Sequence, residues 1–115
     1  VTIGSITAAA LATLAPLPYA RNTYMKSPAG ALPDAYLVYQ EISDVPEQHA
    51  DNEEASRTYR VQVSYYDRSG LESVPDINGA MRAAGFTLGP GRELPRDQET
   101  GHFGVARDYF YLMEA

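Results

Sequence analysis

The sequence predicts an α+β fold: an antiparallel sheet of four to five strands with two helices packed on one face. Three observations predict it. Between Arg57 and Asp67 the side chains alternate, with Tyr59, Val61, Val63 and Tyr65 on one face and Thr58, Arg60, Gln62 and Ser64 on the other. That is the two-residue period of a strand wet on one side. Beyond Ser69-Gly70 the period lengthens: Leu71, Val74, Ile77, Met81 and Ala84 recur at threes and fours, an apolar stripe on a helix that would cover the strand's dry face. The order of elements, helix, two or three strands, helix, one or two strands, closes most simply as a sheet with both helices on one side.

Taken in order, Thr2 to Leu14 is a helix with Ile3, Ile6, Ala10 and Leu14 on one face, Thr2 or Ser5 as its cap, and Pro16 and Pro18 ending it. Tyr19 to Met25 is a short edge strand, and Lys26 to Asp34 has the proline and glycine punctuation of an exposed connection. Ala35 to Ile42, rich in aromatic and β-branched residues, is a strand beside the one at 57–67. Ser43 to Ala55 joins them as an acidic loop, long for a hairpin and therefore suited to work at an interface.

The second helix starts near Ser73 or Val74, with Ser73 or Ser69 as cap and Pro75 in the first turn, where its missing donor costs nothing. Arg82 suits its last carbonyls and Gly85 its left-handed stop. Gly79 is a weak point, about 1 kcal/mol below alanine, unless it lets the helix lie close on the sheet. Phe86 to Leu88 is a short strand, Gly89 to Pro95 a loop, and Gln98 to Gly101 a turn into the strand Phe103 to Met113. That last strand carries Tyr109 and Tyr111 on one face and Phe110 and Leu112 on the other, so it should be interior or covered twice.

At 115 residues the chain is one domain without internal repeats. Its net charge of −6, with only one lysine, Lys26, and scattered arginines, argues against a nucleic-acid-binding surface. The acidic residues Glu41, Asp44, Glu47, Asp51, Glu53 and Glu54 fall in a segment free of Lys and Arg, a solvated acidic stretch. Cysteine is absent, which excludes disulfides and thiolate chemistry. No apolar run approaches the ~20 residues of a membrane span, and Val1 to Leu14 lacks the pattern of a signal peptide. The expectation is a soluble, unsecreted protein with no membrane partner.

The search for chemistry finds no catalytic set, no metal site and no cofactor. His49 and His102 lack a partner at ligand spacing. Thr100, His102 and Asp97 resemble nucleophile, base and orienter in type, but no strained turn presents the hydroxyl. Gly85, Gly89 and Gly91 lack the spacing and the lysine of a phosphate loop. Glu53 and Glu54 are adjacent, so in an extended segment they point apart. Most of the nine tyrosines fall on strands as half-buried packing, whereas Tyr66 shares the polar face with Arg60 and Gln62, where an aromatic marks a contact surface.

Six stretches carry a family resemblance: Tyr36-Leu-Val-Tyr-Gln; Asp51-Asn-Glu-Glu before Tyr59-Arg-Val-Gln-Val-Ser-Tyr-Tyr-Asp; Ala83-Ala-Gly-Phe86; Glu99-Thr-Gly-His-Phe103; and Arg107-Asp-Tyr-Phe-Tyr. In this order, over Ala35 to Met113, the chain resembles the tail-terminator, or tail-completion, proteins of long-tailed bacteriophages. Ser64 stands where that family often has an acidic residue. The resemblance implies a non-enzymatic α+β virion subunit, assembled in the bacterial cytoplasm into a homo-oligomeric, hexameric ring at the head-proximal end of the tail. There it would meet the major tail tube protein on one side and the head-tail connector or stopper protein on the other. DNA would pass through without specific binding, which suits an acidic chain. A role as another connector or stopper protein is the competing expectation, and a small ligand-binding or enzymatic domain a third.

Two contact sets are expected. Arg60, Gln62 and Tyr66, with Arg68 at the end of their strand, form the subunit or ring interface. The acidic residues Glu47, Asp51, Glu53 and Glu54 reach the lumen or an adjoining ring. Deleting Asp51 to Glu54 is expected to alter tail length or head attachment in assembled particles, as seen by electron microscopy; particles normal in both would remove that role.

Overall fold

The computed structural model describes residues 2–15, 17–22, 33–46 and 56–114, with side chains at 43–46, 56–57 and 113–114 left aside. The expected connection over 26–34 falls almost wholly outside these residues, as does the stretch 47–55 with Glu47, Asp51, Glu53 and Glu54. The elements run α1 (Ile3–Ala12), β1 (Tyr19–Arg21), β2 (Ala35–Pro46), β3 (Ser56–Asp67), α2 (Ile77–Ala83), β4 (Thr87–Leu94) and β5 (Phe103–Glu114). The five strands form one sheet in the order β1-β2-β3-β5-β4.

The fold class is as expected, with one departure: β1 pairs with β2 in parallel, so the sheet is mixed at that edge. The remaining pairs are antiparallel. A parallel neighbour needs a crossover of about a dozen residues, which is what the chain between Arg21 and Ala35 supplies. Strand β3 runs through the middle, paired along its length with β2 on one side and β5 on the other.

One face of the sheet is dry. Leu37, Val61, Val63, Tyr65 and Tyr109 meet Ile3, Ala10 and Leu11 from α1 and Ile77 and Met81 from α2, with Phe86 closing the cluster. Helix α1 begins with a reciprocal capping box: Ser5 N–H donates to Thr2 Oγ1 and Thr2 N–H to Ser5 Oγ, both at 3.1 Å. Its buried stripe is Ile3, Thr7, Ala10 and Leu11, while Ile6 and Leu14 are half-buried. Thr7 tolerates burial because its hydroxyl donates to the Ile3 carbonyl at 2.8 Å.

Helix α2 is shorter than its stripe. Asp76, not Ser73 or Ser69, is the cap, accepting from Gly79 N–H at 2.9 Å, and Pro75 lies before the helix instead of in its first turn. The reason is local: proline drives the residue before it, Val74, away from helical geometry. Val74 is therefore exposed and Leu71 half-buried, leaving Ile77 and Met81 as the anchors. Gly79 serves the cap and not the sheet, since a Cβ there would strike the Asp76 carboxylate. Gly85 ends the helix at φ 104°, as expected.

Of the expected edge strand Tyr19 to Met25, β1 takes in Tyr19–Arg21, and 23–25 lie outside the described residues, whereas β2 and β4 are longer than expected. β2 takes in Ser43 and Asp44, placed in the acidic loop by the sequence, after a register shift between Glu41 and Ser43. β4 runs through Gly89-Pro90-Gly91, read as a loop, and tolerates the proline because it is an edge strand with a bulge between Leu88 and Gly91. Both glycines are used: a Cβ at Gly89 would meet the Phe110 ring, and one at Gly91 the Arg107 guanidinium. β5 is interior, between β3 and β4, but helices cover only one of its faces.

The cap geometry sets up a double-mutant cycle. In the natural chain Gly79→Ala should gain little, because a propensity gain of about 1 kcal/mol is offset by losing a cap worth about 1 kcal/mol. In an Asp76→Ala background the same substitution should recover its full ~1 kcal/mol. Urea unfolding of the four proteins measures the difference.

Candidate subunit interface

The sheet register defines the face away from the helices. Its rows are Tyr36, Tyr66 and Gly104; Val38, Ser64 and Ala106; Gln40, Gln62 and Asp108; Arg60 and Phe110; and Thr58 and Leu112. β4 adds Leu94, Arg92 and Thr87. Small residues on β3 and β5 let their larger neighbours shade them, so Ser64 and Ala106 are buried without a helix above. The face thus has an aromatic end at Tyr36 and Tyr66 and an opposite end carrying Arg60, Phe110 and Leu112.

Arg60, Gln62 and Tyr66 lie on this face together. Arg60 leans across to β5, where its Nε donates to Asp108 Oδ2 at 2.9 Å and its Nη2 bonds the same oxygen. Asp108 is only 3 % exposed, so Arg60 neutralises a charge that would otherwise be buried alone. Tyr66 stacks on Tyr36 with ring centroids 5.0 Å apart. Its ring also covers Gly104, where a Cβ would touch it. Arg68 sits past the strand end, its Nη1 donating to Asp34 Oδ1 at 2.8 Å and its Nε to the Thr100 carbonyl at 3.0 Å. Asp34 is highly exposed, so this ion pair contributes little and the carbonyl contact is what positions Arg68.

Around that end of the sheet lies a polar cluster that the sequence did not predict. The Asp67 carboxylate accepts from Tyr65 Oη at 2.7 Å, Ser69 Oγ at 2.7 Å and Ser69 N–H at 2.8 Å. The Ser69 hydroxyl, and behind it the Tyr65 hydroxyl and Ser69 N–H, hold Asp67 below the usual carboxylate pKa, against burial that pushes it up. Burial and the Asp67 carboxylate in turn raise the Tyr65 phenol. Asp67 and Ser69 are two residues apart, the spacing of an Asx turn, so this part of the cluster was legible in retrospect.

His102 is 1 % exposed. Its Nε2 lies 2.8 Å from the Pro33 carbonyl, which can only accept, so Nε2 is assigned the proton and Nδ1 accepts from Thr100 Oγ1 at 2.7 Å. The Tyr36 ring packs edge-on against the imidazole. Asp97, the residue that an orienting role would require, accepts instead from Glu99 and Thr100 N–H groups, which lower its pKa. The three residues thus form a staple between the start of β2 and the turn before β5. Pro33 lies 69 residues from His102, and no local pattern announces such a contact.

On the helix side a cleft of about 160 Å³ opens beside α2, lined by Val63, Val74, Ile77, Val105, Arg107 and Tyr109. Arg107 Nη1 donates there to the Gly89 carbonyl at 2.8 Å, and Tyr109 Oη to Asn78 at 2.6 Å. Burial pushes the Tyr109 phenol up to about 12. Among the described residues no group of three His, Asp or Glu side chains is placed to hold a metal ion, and no helix is long and apolar enough to cross a membrane.

Comparison with known proteins finds no family model that matches this chain and no curated protein that matches it.

The Asp67 cluster ties stability to pH. A carboxyl with a lowered folded-state pKa stabilises the fold above the unfolded value and loses that contribution as pH falls through the folded one. Asp67→Asn should therefore cost about 1.5–3 kcal/mol near neutrality, the worth of hydrogen bonds to a charged group. It should also flatten the fall in stability below about pH 4. Urea midpoints measured from pH 7 to pH 2 check both.

Proposed function

We propose that this chain is a structural virion subunit that assembles as a ring at the head-proximal end of a phage tail tube, where it ends tube growth and offers the joining surface for the head connector. The observation that carries the reading is the helix-free sheet face, which brings Arg60, Gln62 and Tyr66 together beside Phe110 and the exposed Leu112. A face that mixes an arginine, stacked tyrosines and an open leucine has the composition of a protein contact surface. The order of motifs from Ala35 to Met113 supports the same reading, and the net charge of −6 suits a passage that DNA crosses without sticking.

In this reading the working parts are positions and shapes. The Arg60 guanidinium, held by Asp108, keeps part of its surface open to a neighbour, and Tyr66 is fixed flat by Tyr36. Both groups have already lost much of their side-chain freedom, so contact with an adjoining subunit or ring orders them at little further cost.

Arg60→Gln is the suitable probe, since glutamine can still donate to Asp108 whereas a reversed charge would leave two anions together. Ring assembly, followed by sedimentation with and without tail tubes, should then require roughly tenfold more protein, as expected for an arginine worth about 1.4 kcal/mol at an interface. Unchanged assembly would remove the face from the contact.

A further inference from the structure

Resting on the ring reading, we infer that the ring closes by strand pairing, with the outer edge of β5 in one copy adding in parallel to the outer edge of β2 in the next. The register shows both edges. β1 pairs with β2 only at Leu37, Val38 and Tyr39, and β4 reaches β5 only as far as Phe110. Past those points β2, β3 and β5 continue to Pro46, Ser56 and Glu114 as a three-stranded ribbon, and among the described residues no strand lies outside it.

The two edges differ from the protected one. β4, at the other margin, carries Pro90, a bulge and the exposed Arg92 and Glu93, the devices that keep an edge from pairing. Tyr111 to Glu114 on β5 contains no proline, glycine or lysine. On β2 the register shift at Glu41–Ser43 and Pro46 confine free pairing to about Ser43 to Val45, so the ladder is short. Beside these edges stand the two most exposed of the large apolar side chains described, Leu112 at 57 % and Ile42 at 40 %.

A second copy is the occupant because each copy carries both halves of the contact. β2 and β5 are each antiparallel to β3, hence parallel to one another. Rotation about an axis along the strands preserves their direction, so β5 of one copy meets β2 of the next in parallel, head to tail, and the contact closes into a ring. A two-fold pair would join like edges instead. This contact adjoins the helix-free face, where Arg60 on β3 lies one strand in from either edge and Leu112 stands beside the seam.

The absence of natural cysteine makes the test direct. Val45 and Leu112 flank Thr58 in one row, on opposite sides of β3. Within one chain they are two strand spacings apart, about 9.6 Å, beyond the roughly 7 Å limit for a disulfide. Mild oxidation of a Val45→Cys/Leu112→Cys variant, and of Ser43→Cys/Leu112→Cys to cover a two-residue shift, is therefore blind to the monomer. The expected result, in conditions where sedimentation shows rings, is a ladder of cross-linked species. Its yield should be at least about tenfold above that of each single-cysteine variant, as neighbouring edges raise the effective thiol concentration. Rings without a ladder would overturn the edge contact and leave the ring reading standing, and so would single variants that dimerise as readily as the doubles. No rings with or without tail tubes would overturn both.

Discussion

The structure depends on β3 being paired on both sides along its whole length. All twelve residues from Ser56 to Asp67 pair with β5, and all but Ser56 pair with β2 as well, so their alternation decides everything that lies above and below. Val61, Val63 and Tyr65 require cover, which α1 and α2 provide through Ile3, Leu11, Ile77 and Met81. The same pleat sends Arg60, Gln62, Ser64 and Tyr66 to the opposite side. A one-residue slip would exchange the two sets, so the register is defended by the hydrophobic effect itself.

Long-period and two-residue patterns were legible because they are repeated. The faces of β3, the existence and sides of both helices, the glycine stop at Gly85 and the interior place of β5 all follow from several residues agreeing. Features set by one competing local preference were not. Pro75 moved the start of α2 to Asp76, although the apolar stripe pointed earlier. Gly89-Pro90-Gly91 has the composition of a loop, yet β5 offers a ladder that a bulged edge strand can still join. The parallel β1 depends on where a crossover lands, which periodicity does not encode.

The proposed contact face was half legible. Arg60, Gln62 and Tyr66 could be placed on one side from alternation alone, and the register keeps them there. Their partners could not, because Asp108 lies 48 residues from Arg60 in sequence and is brought beside it only by the β3–β5 pairing. The same holds for the His102 staple and for the ends of β2 and β5 that no strand flanks among the described residues, which appear only when the lengths of neighbouring strands are compared. Residues that resembled a catalytic set, Thr100, His102 and Asp97, resolve into hydrogen bonds that hold a turn.

The proposed role requires repeated contact between copies of this chain at the end of a tube. Electron cryomicroscopy of the protein mixed with purified tail tubes tests this most directly. The expected result is a single closed ring seated on one end of each tube, with strands of adjacent subunits continuous at the ring wall. Tubes with bare ends beside dispersed single subunits would contradict it.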